Sequence, residues 1–451
     1  IEFFGAAKTV TGSNYLVKTD LGNFVVDCGM FQGEDVERLN LEPLAYNAKD
    51  VDFALLTHSH IDHSGMLPKL VKAGFSGKIY ATNNTIQITT ELLLDSAKLQ
   101  ENAYQRGENY GKYTQVKALV YNTKDAMQTI NQFNVADFDS SFEPVPGIKV
   151  TYIVAGHILG AASIMIEVED EGTTKRIAFS GDIGRINSPL IPTFDLNYKF
   201  DADYVLMESL YGGQIHVDRH ESANRLITII KETVDNGGSA FIPCFAVQRA
   251  QEVLNDLKKA KMGGALEDNL PVWLDSPLAQ RVTSIYNKSL QHTEDSPFDF
   301  PNLIYVKKFK QSAGLSRQTK QVVLAGSGMA DGGRIMNHLA TALENKKNSV
   351  IFVGFQAEGT LGRELVEGEK KVLIGTKSVN VNAQIYQLEG FSAHGDTNDY
   401  TEWLKRFLNS NLKKIYLVHA EPERAEALKA HFEEMGINNC YIPSLKETVN
   451  L

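Results

Sequence analysis

The hexapeptide His58-Ser59-His60-Ile61-Asp62-His63 places three imidazoles and a carboxylate within six residues. It directly follows residues 51–57, a compact apolar segment with the length and composition of a buried β-strand. A strand fixes the backbone up to its last residue, so the loop after it can direct several side chains to one point. Nitrogen and oxygen donors gathered in this way are the ligands that zinc accepts. Because the chain has only 11 histidines in 451 residues, this spacing is far from a chance event and predicts a metal site.

Three further donors also follow short apolar runs that are typical of strands: His157, Asp182 and His419. One hexapeptide cannot complete the ligand shells of two metal ions, so additional ligands must come from elsewhere in the chain. Considered singly, each of the three is explained at least as well as a hydrogen-bonded structural residue. Considered with the hexapeptide, they favour a shared metal site.

The pattern of strands and helices changes twice along the chain. Short glycine-punctuated strands joined by helices predict an α/β layered core in the first part. After Glu208, longer helices alternate with fully apolar strands, which is typical of a doubly wound parallel sheet. The first pattern, short strands joined by helices, returns near Ala383. We therefore predict one domain inserted into another, with a first domain part at 1–208, an inserted domain at 209–378 and a last domain part at 379–451.

Composition restricts the class of protein. Apolar residues make up 43% and charged residues 22% of the chain, as in ordinary globular proteins. No apolar run approaches the length needed to cross a bilayer, and no secretion signal is recognisable at the start. The cysteines Cys28, Cys244 and Cys440 form no pair motif, which favours buried thiols and a reducing cytoplasm.

The charge distribution leaves a basic surface open within an acidic chain. A net charge of −10 argues against indiscriminate nucleic-acid binding. The segment 210–390 is slightly basic, however, and the remainder carries the acidic excess. Within that segment, Lys307, Lys308 and Lys310 are candidates for an RNA path, although a charge run is more often a solvated face.

The motifs taken together resemble the β-CASP branch of the metallo-β-lactamase superfamily. The match lies in Asp27, the hexapeptide, His157, Asp182, Glu208, His394 within Gly390-Phe391-Ser392-Ala393-His394-Gly395-Asp396, and His419. Further similar stretches are GHILGAA at 156–162, QRAQE at 248–252, GSGM at 326–329 and GTLGR at 359–363. The resemblance covers nearly the whole chain and is closest to the pre-mRNA 3′-end-processing endonucleases and their archaeal and bacterial relatives.

The resemblance implies a fold and a set of ligands. The fold is an αββα metallo-β-lactamase sandwich interrupted by a β-CASP domain. The implied ligands are His58, His60 and His157 for one zinc, Asp62, His63 and His419 for a second zinc, and Asp182 bridging the two. Imidazole and carboxylate donors also suit manganese or iron. Asp27 would orient a ligand histidine, with a plain turn aspartate as the alternative.

The chemistry of such a metal pair predicts a mechanism, and the resemblance implies the product ends. Two zinc ions would hold a hydroxide that attacks phosphorus, with Asp62 among the residues at the reacting centre. His394 would bind phosphate and protonate the leaving oxygen, while Glu208 keeps it oriented and protonated. The alternative makes His394 a residue that orders a loop and Glu208 a surface carboxylate. Products would carry 5′-phosphate and 3′-hydroxyl ends.

Phosphate contacts are expected in the inserted domain. Ser327 and Gly328 follow a predicted strand, where backbone amides can bind an anion, although a plain tight turn explains them nearly as well. Arg249 and Arg363 offer bidentate guanidinium groups, with internal ion pairs as the equal alternative.

These features together predict a zinc-dependent ribonuclease that acts on single-stranded RNA in RNA processing or decay. The histidine at position 419 favours RNA over DNA, since DNA-repair members of the branch usually lack it. The alternatives are a nuclease for single-stranded DNA and a metallohydrolase for small esters or thioesters. Endonuclease and 5′-exonuclease action both stay open, as does a homodimer. We recognise no further RNA-binding module, so sequence preference is expected to come from a cleft between the domains or from partners.

Overall fold

Two compact units make up the protein. The computed structural model describes residues 1–33, 37–107, 118–170, 172–290, 296–408 and 411–451. The first unit comprises Ile1–Ile215 and His394–Leu451, and the second comprises His216–Ala393. The domain boundaries inferred from sequence, after 208 and after 378, remain predictions.

Most strands of the first unit come before its interruption. They are β1 (Glu2–Phe3), β2 (Tyr15–Thr19), β3 (Gly22–Val26), β4 (Phe53–Leu55), β5 (Lys78–Ala81), β6 (Phe133–Val135), β7 (Ser141–Val145), β8 (Ile148–Val154), β9 (Ala162–Asp170), β10 (Thr173–Phe179) and β11 (Tyr204–Glu208). The helices are α1 (Ile61–Ser64), α2 (Leu67–Lys72), α3 (Asn83–Gln105) and α4 (Thr123–Ile130), with 3-10 turns at Glu37–Leu41 and Ala48–Asp50.

The second unit alternates helices and strands, as the sequence predicts. Its helices are α5 (Arg219–Asp235), α6 (Arg249–Met262), α7 (Pro277–Leu290), α8 (Phe309–Leu315), α9 (Gly333–Ala342) and α10 (Leu361–Val366). Its strands are β12 (Ala240–Pro243), β13 (Val272–Asp275), β14 (Leu303–Tyr305), β15 (Val322–Ala325), β16 (Ser349–Phe352), β17 (Lys371–Ile374), β18 (Lys377–Asn380) and β19 (Gln384–Gln387). The chain then returns to the first unit through α11 (Thr397–Lys405), β20 (Lys414–Val418), α12 (Pro422–Glu434) and β21 (Cys440–Tyr441).

The first unit is a sandwich of two sheets. One sheet has the order β1-β2-β3-β4-β5-β6 and the other β21-β20-β11-β10-β9-β8-β7. Apolar side chains from both sheets, including Phe24, Phe53, Ile164 and Phe179, form one buried core. A second core lies beneath α2, α3 and α4, and a third, centred on Trp403, beneath α11 and α12. Helices therefore cover both outer faces, and the predicted αββα architecture is confirmed.

The second unit is built on a parallel sheet with the order β14-β13-β15-β12-β16-β19. Every pairing between its neighbouring strands is parallel. From β12 the chain first runs to β13 and β14 on one side, and later to β16 and β19 on the other. The predicted inserted, doubly wound α/β domain is therefore confirmed. No helix in the described ranges is both long and apolar enough to cross a bilayer.

We predict that the inter-sheet core dominates the stability of the first unit. Leu206 lies in that core and is 1% exposed, whereas Leu99 on α3 is 52% exposed. Leu206→Ala should lower the free energy of unfolding by about 2–5 kcal/mol, because it removes buried methyl groups and leaves a cavity. Leu99→Ala, the matched control, should change it by less than about 0.5 kcal/mol.

The chain offers a fluorescence probe for this comparison. It has two tryptophans; Trp403 lies in the first unit and Trp273 in the second. Urea unfolding followed by Trp403 fluorescence in a Trp273→Phe background reports the first unit. Equal midpoints for the two leucine variants would contradict the assigned core.

Candidate active site

The predicted ligands stand at the carboxyl ends of strands in the two sheets of the sandwich. β3 and β4 run parallel in one sheet, and β10, β11 and β20 run parallel in the other. β8 has the same direction as β10, because each is antiparallel to β9. The carboxyl ends of parallel strands meet at one edge of a sheet, so each sheet delivers its donors to one edge.

Close backbone packing holds the hexapeptide loop in place. The N–H of Cys28 donates to the carbonyl of His63, and the N–H of Ser13 donates to that of Asp62, both at 2.8 Å. A Cβ on Gly29 would come within 1.6 Å of the same Asp62 carbonyl oxygen. Only glycine fits at position 29, and the loop is therefore fixed against the segment that follows β3.

The first donor cluster consists of His58, His60, His157 and Asp182, whose ligand atoms lie within 4.8 Å of one another. The Nδ1 of His60 lies 3.1 Å from the Nε2 of His58 and 3.1 Å from the Nε2 of His157. Two nitrogens bound at roughly 2.0–2.1 Å to one tetrahedral zinc would lie about 3.3 Å apart. The spacing of the three rings therefore fits the ligands of a single cation.

The second donor cluster consists of Asp62, His63 and His419. The Nε2 of His419 lies 3.5 Å from the Oδ2 of Asp62. Both ring nitrogens of His419 are buried without a hydrogen-bond partner among the described residues. Buried polar atoms normally have a partner, so the unpaired Nε2 facing a carboxylate also fits a cation ligand.

Asp182 joins the two clusters through its two carboxylate oxygens. Its Oδ2 lies 3.2 Å from the Nε2 of His58 and 3.5 Å from that of His157. Its Oδ1 lies 3.2 Å from the Nε2 of His63 and 3.7 Å from that of His419. One oxygen therefore faces each cluster. This is the arrangement required of a bridging ligand.

The protonation preferences of the histidines in the first cluster match a role as metal ligands. Burial lowers the pKa of His58, of His157 and of His60, the last to about 3, and nearby histidines lower all three further. These rings are therefore neutral near pH 7 and keep the lone pairs that a metal requires. Burial also acts to lower the pKa of His63, but the carboxylates of Asp182 and Asp27 outweigh it and raise that pKa well above its usual value. Without a metal ion, His63 therefore favours its protonated form, and a bound ion would have to displace the proton on Nε2.

Asp27 contacts the ring of His63 from inside the protein. Its carboxylate accepts hydrogen bonds from the backbone N–H and the hydroxyl of Thr57, both at 2.8 Å. Its Oδ2 lies 2.7 Å from the Nδ1 of His63. An N–H on Nδ1 directed at this carboxylate leaves the Nε2 lone pair for the second cluster. Asp27 is 2% exposed, so it lies in the interior and not in an exposed turn.

His394 lies beside the donor clusters with Glu208 behind it. The Nδ1 of His394 lies 3.0 Å from the Oε2 of Glu208 and 3.8 Å from the Oδ2 of Asp182. Burial acts to lower the pKa of His394, but the nearby Glu208 carboxylate raises it above the usual value. The His394 side chain is 19% exposed, so a cationic imidazole can meet an anionic ligand here.

The sequence analysis missed Tyr400, which completes the surroundings of Glu208. The Tyr400 hydroxyl donates to the Oε2 of Glu208 at 3.0 Å, and the backbone N–H of Ile183 donates to the other oxygen, Oε1. Thr57 was missed as well, although its position between a strand and the hexapeptide was a usable signal. Tyr400 lies on α11 and belongs to none of the motifs, so nothing in the sequence marks it.

The residues named for phosphate contact lie in the second unit, where most have local partners. The backbone N–H of Ser327 donates to the carbonyl of Gly332 at 3.2 Å, and its hydroxyl donates to a carboxylate oxygen of Asp331. Gly328 packs under the ring of Phe245.

The two arginines of this group each face a nearby carboxylate. The NH1 of Arg249 lies 3.4 Å from the Oε2 of Glu252, and the Nε of Arg363 lies 2.6 Å from the Oε1 of Glu367. Arg249 is also buried, with its guanidinium 5.9 Å from the centre of the Phe391 ring. A phosphate would have to compete with these partners.

The backbone at His419 shows how an alanine is accommodated in the next position. His419 adopts a left-handed conformation with φ of 55°, and its N–H donates to the carbonyl of Ala6 at 2.7 Å. Ala420, where related motifs commonly have glycine, has no positive φ and is buried. The strained torsion therefore falls on the histidine, and the alanine is tolerated.

Three family models match the chain in the order of its elements. The metallo-beta-lactamase superfamily matches residues 8–227. The Beta-Casp domain matches residues 250–365, and the Zn-dependent metallo-hydrolase RNA specificity domain matches residues 378–443. A divalent-metal hydrolase fold with an inserted domain agrees with the donor clusters described above.

Relatives match over nearly the full length. The chain is 33% identical to Ribonuclease TTHA0252 of Thermus thermophilus, over 94% of each chain. It is 30% identical to the transcription termination factor FttA of Methanocaldococcus jannaschii, over 98% of this chain and 70% of that protein. A crystal structure of a protein of unknown function from Enterococcus faecalis V583 shares the fold, with a TM-score of 0.58 and 13% identity, over 99% of this chain and 98% of that one. The chain therefore belongs to the β-CASP family of metallo-β-lactamase-fold ribonucleases.

Proposed function

We propose that this protein hydrolyses phosphodiester bonds in single-stranded RNA with two zinc ions, leaving 5′-phosphate and 3′-hydroxyl ends. One observation carries the two-ion proposal: the two oxygens of the Asp182 carboxylate face separate clusters of donors. A single carboxylate placed in this way serves two cations at once. The ribonuclease name of the Thermus relative, which is similar over 94% of its length, supports RNA as the substrate.

The donor residues fall into two sets, one for each ion. His58, His60 and His157 would hold one ion, and Asp62, His63 and His419 the other, with Asp182 shared and Asp27 directing His63. Two such ions, when bound, supply a nucleophile at neutral pH and offset charge on the phosphoryl oxygens.

His394, positioned by Glu208, supplies the proton that the leaving oxygen requires. Glu208 is fully buried and accepts from Ile183 and Tyr400, so its carboxylate is fixed in position. It directs the imidazole of His394 through Nδ1. A protonated His394 binds a phosphate oxygen and then gives its Nε2 proton to the departing 3′-oxygen.

Gly328 is the strongest of the proposed phosphate contacts in the second unit. Its backbone N–H has no partner among the described residues, whereas that of Ser327 donates to Gly332. Ser327, Arg249 and Arg363 stay proposed contacts in which phosphate replaces a local partner. A homodimer stays a prediction that a solution mass measurement decides, and a reducing cytoplasm remains the proposed location because all three thiols are buried and unpaired.

One assay separates this function from its alternatives. Labelled single-stranded RNA, single-stranded DNA and a thioester are each incubated with the same metal-loaded protein, and the product ends are mapped. Cleavage of RNA alone, with 5′-phosphate ends, is the expected result. Cleavage of only DNA or only the thioester would overturn the proposal.

We predict that Asp182→Ala abolishes hydrolysis and lowers the bound metal, because one carboxylate serves both clusters. Elemental analysis and RNA cleavage should be measured on the same preparation. Asp201→Ala, which removes an exposed carboxylate of the same unit, is the matched control and should retain both properties. Full activity in the Asp182 variant would rule out the bridging role.

Asp27→Asn should selectively weaken binding of the second ion, the one assigned to Asp62, His63 and His419. The neutral amide orients His63 less strongly, and loss of such an orienting partner typically costs about 10–100-fold in metal affinity. Titration with a competing chelator should show one weakened site and one unchanged site per chain. Asp52→Asn, at an exposed carboxylate, provides the control, and a uniform loss at both sites would contradict the assignment.

His394→Ala should keep both ions but lose roughly 10²–10⁴-fold in rate on RNA, the usual contribution of a general acid. The rate on a p-nitrophenyl phosphodiester, whose leaving group needs no proton, should fall much less. Loss of bound metal would instead identify His394 as a ligand, and an equal loss on both substrates would exclude proton transfer as its role.

A further inference from the structure

Three lysines of the second unit lie close together around one depression and have no acidic partner among the described residues. Lys307, Lys308 and Lys310 are exposed, and none makes a side-chain hydrogen bond or ion pair in the described part of the chain. They line a depression of about 610 Å³ together with Tyr305 and Gln311. Concentrated, unpaired positive charge of this kind contrasts with the net charge of −10 of the whole chain.

An exposed aromatic side chain is the sequence neighbour of these lysines. Phe309, between Lys308 and Lys310 in sequence, is 65% exposed. Leaving a phenylalanine in water forgoes the burial that such side chains usually find. Tyr305, at the end of β14, is half-buried and adds a second ring to the wall of the depression.

The base of this patch is firmly held. Val306 is fully buried, and the Ser312 hydroxyl on α8 donates to the Asp275 carboxylate at 2.5 Å. The guanidinium of Arg334 donates to Asp275 and lies 3.5 Å from the carbonyl of Val306.

The buried carboxylate beneath the patch does not neutralise it. Asp275 is already paired with Arg334 and with His338, at 2.5 and 2.7 Å. The lysine charges therefore remain available to a ligand.

We propose that Tyr305, Lys307, Lys308, Phe309 and Lys310 form a binding surface for single-stranded RNA, with bases stacked on Phe309 and phosphates against the lysines. Proteins that bind single strands without sequence preference combine cationic side chains with aromatic platforms. A duplex has no unstacked base to offer to Phe309, which is why the surface fits a single strand. The inference rests on the proposed ribonuclease function, because the ligand it names is the substrate proposed there.

The test measures binding separately from cleavage. Full-length protein carrying Asp182→Ala is titrated with a labelled oligouridine of about 20 nucleotides at several salt concentrations. Replacing Lys307, Lys308 and Lys310 by glutamine should reduce the slope of log affinity against log salt by about 2, since each phosphate contact on a single strand contributes about 0.7. The control replaces Lys346, Lys347 and Lys370 by glutamine and should leave the slope unchanged. These lysines are exposed, lie in the same unit and have no ion-pair partner among the described residues.

Phe309→Ala separates stacking from charge. It should weaken binding by about tenfold, within the range of one base–aromatic stack, and leave the salt slope unchanged. Phe309→Trp should bind at least as tightly as the parent protein, and thermal unfolding confirms that each variant is folded.

Three results would overturn the proposal: an unchanged slope in the lysine variant, an equal change in the control, or preferential binding of duplex RNA or anionic vesicles through these residues. Cleavage of RNA by the parent protein is assayed alongside. If the parent protein cleaves RNA while the lysine variant binds normally, only the surface fails. If oligouridine binding depends on the lysines but the parent protein does not cut RNA, only the nuclease function fails.

Discussion

The side chain of Asp182 is a carboxylate in a place where water is almost excluded, since the residue is only 2% exposed. Removing an ionised carboxylate from water costs several kcal/mol unless positive charge or hydrogen bonds face it. Here imidazole nitrogens face both oxygens at 3.2–3.7 Å. Burial acts to raise the pKa of Asp182, yet the surrounding histidines, with His419 first, hold that pKa well below its usual value. The facing histidines therefore stabilise this carboxylate, and cations bound between them would satisfy both sets of groups.

This constraint explains why the strand ends have such tight backbone geometry. Gly181 has φ of 58°, and a Cβ there would lie 2.8 Å from the Cβ of Thr57. The turn before Asp182, in one sheet, therefore sits directly against the residue before His58, in the other sheet. Thr57 in turn donates to Asp27, which directs His63. Each donor cluster contains residues from both sheets, so a shift of one sheet against the other would pull each cluster apart. The inter-sheet core therefore also sets the geometry of the metal centre.

The parts of the site that follow from local sequence were predictable, and those that depend on distant contacts were not. Donors that directly follow apolar strands could be placed at one edge because the carboxyl ends of parallel strands must meet there. The contact of Tyr400 with Glu208 joins residues 192 apart in sequence, and no motif encodes it. The ion pairs of Arg249 and Arg363 could have been anticipated, since Glu252 and Glu367 follow at i+3 and i+4 on helices, where opposite charges meet. The inserted parallel domain was predicted because the alternation of helices and apolar strands is visible over long stretches, whereas the two-sheet sandwich followed only from the family resemblance.

The same distinction between paired and unpaired charge indicates where an acidic protein can bind RNA. An arginine that already faces a carboxylate attracts an anion only weakly. The anion would have to displace that carboxylate, and the energy of the existing ion pair would be lost. Lys307, Lys308 and Lys310 have no such partner in the part of the chain that the structure describes, and the buried carboxylate that anchors α8, Asp275, is satisfied by Arg334 and His338. Surface charges interact over roughly 8–10 Å at physiological salt, so the acidic excess elsewhere in the chain is largely screened from this patch. A negative net charge therefore excludes indiscriminate attachment to nucleic acid but not a local site, provided that the local cations are unpaired and held on a rigid base.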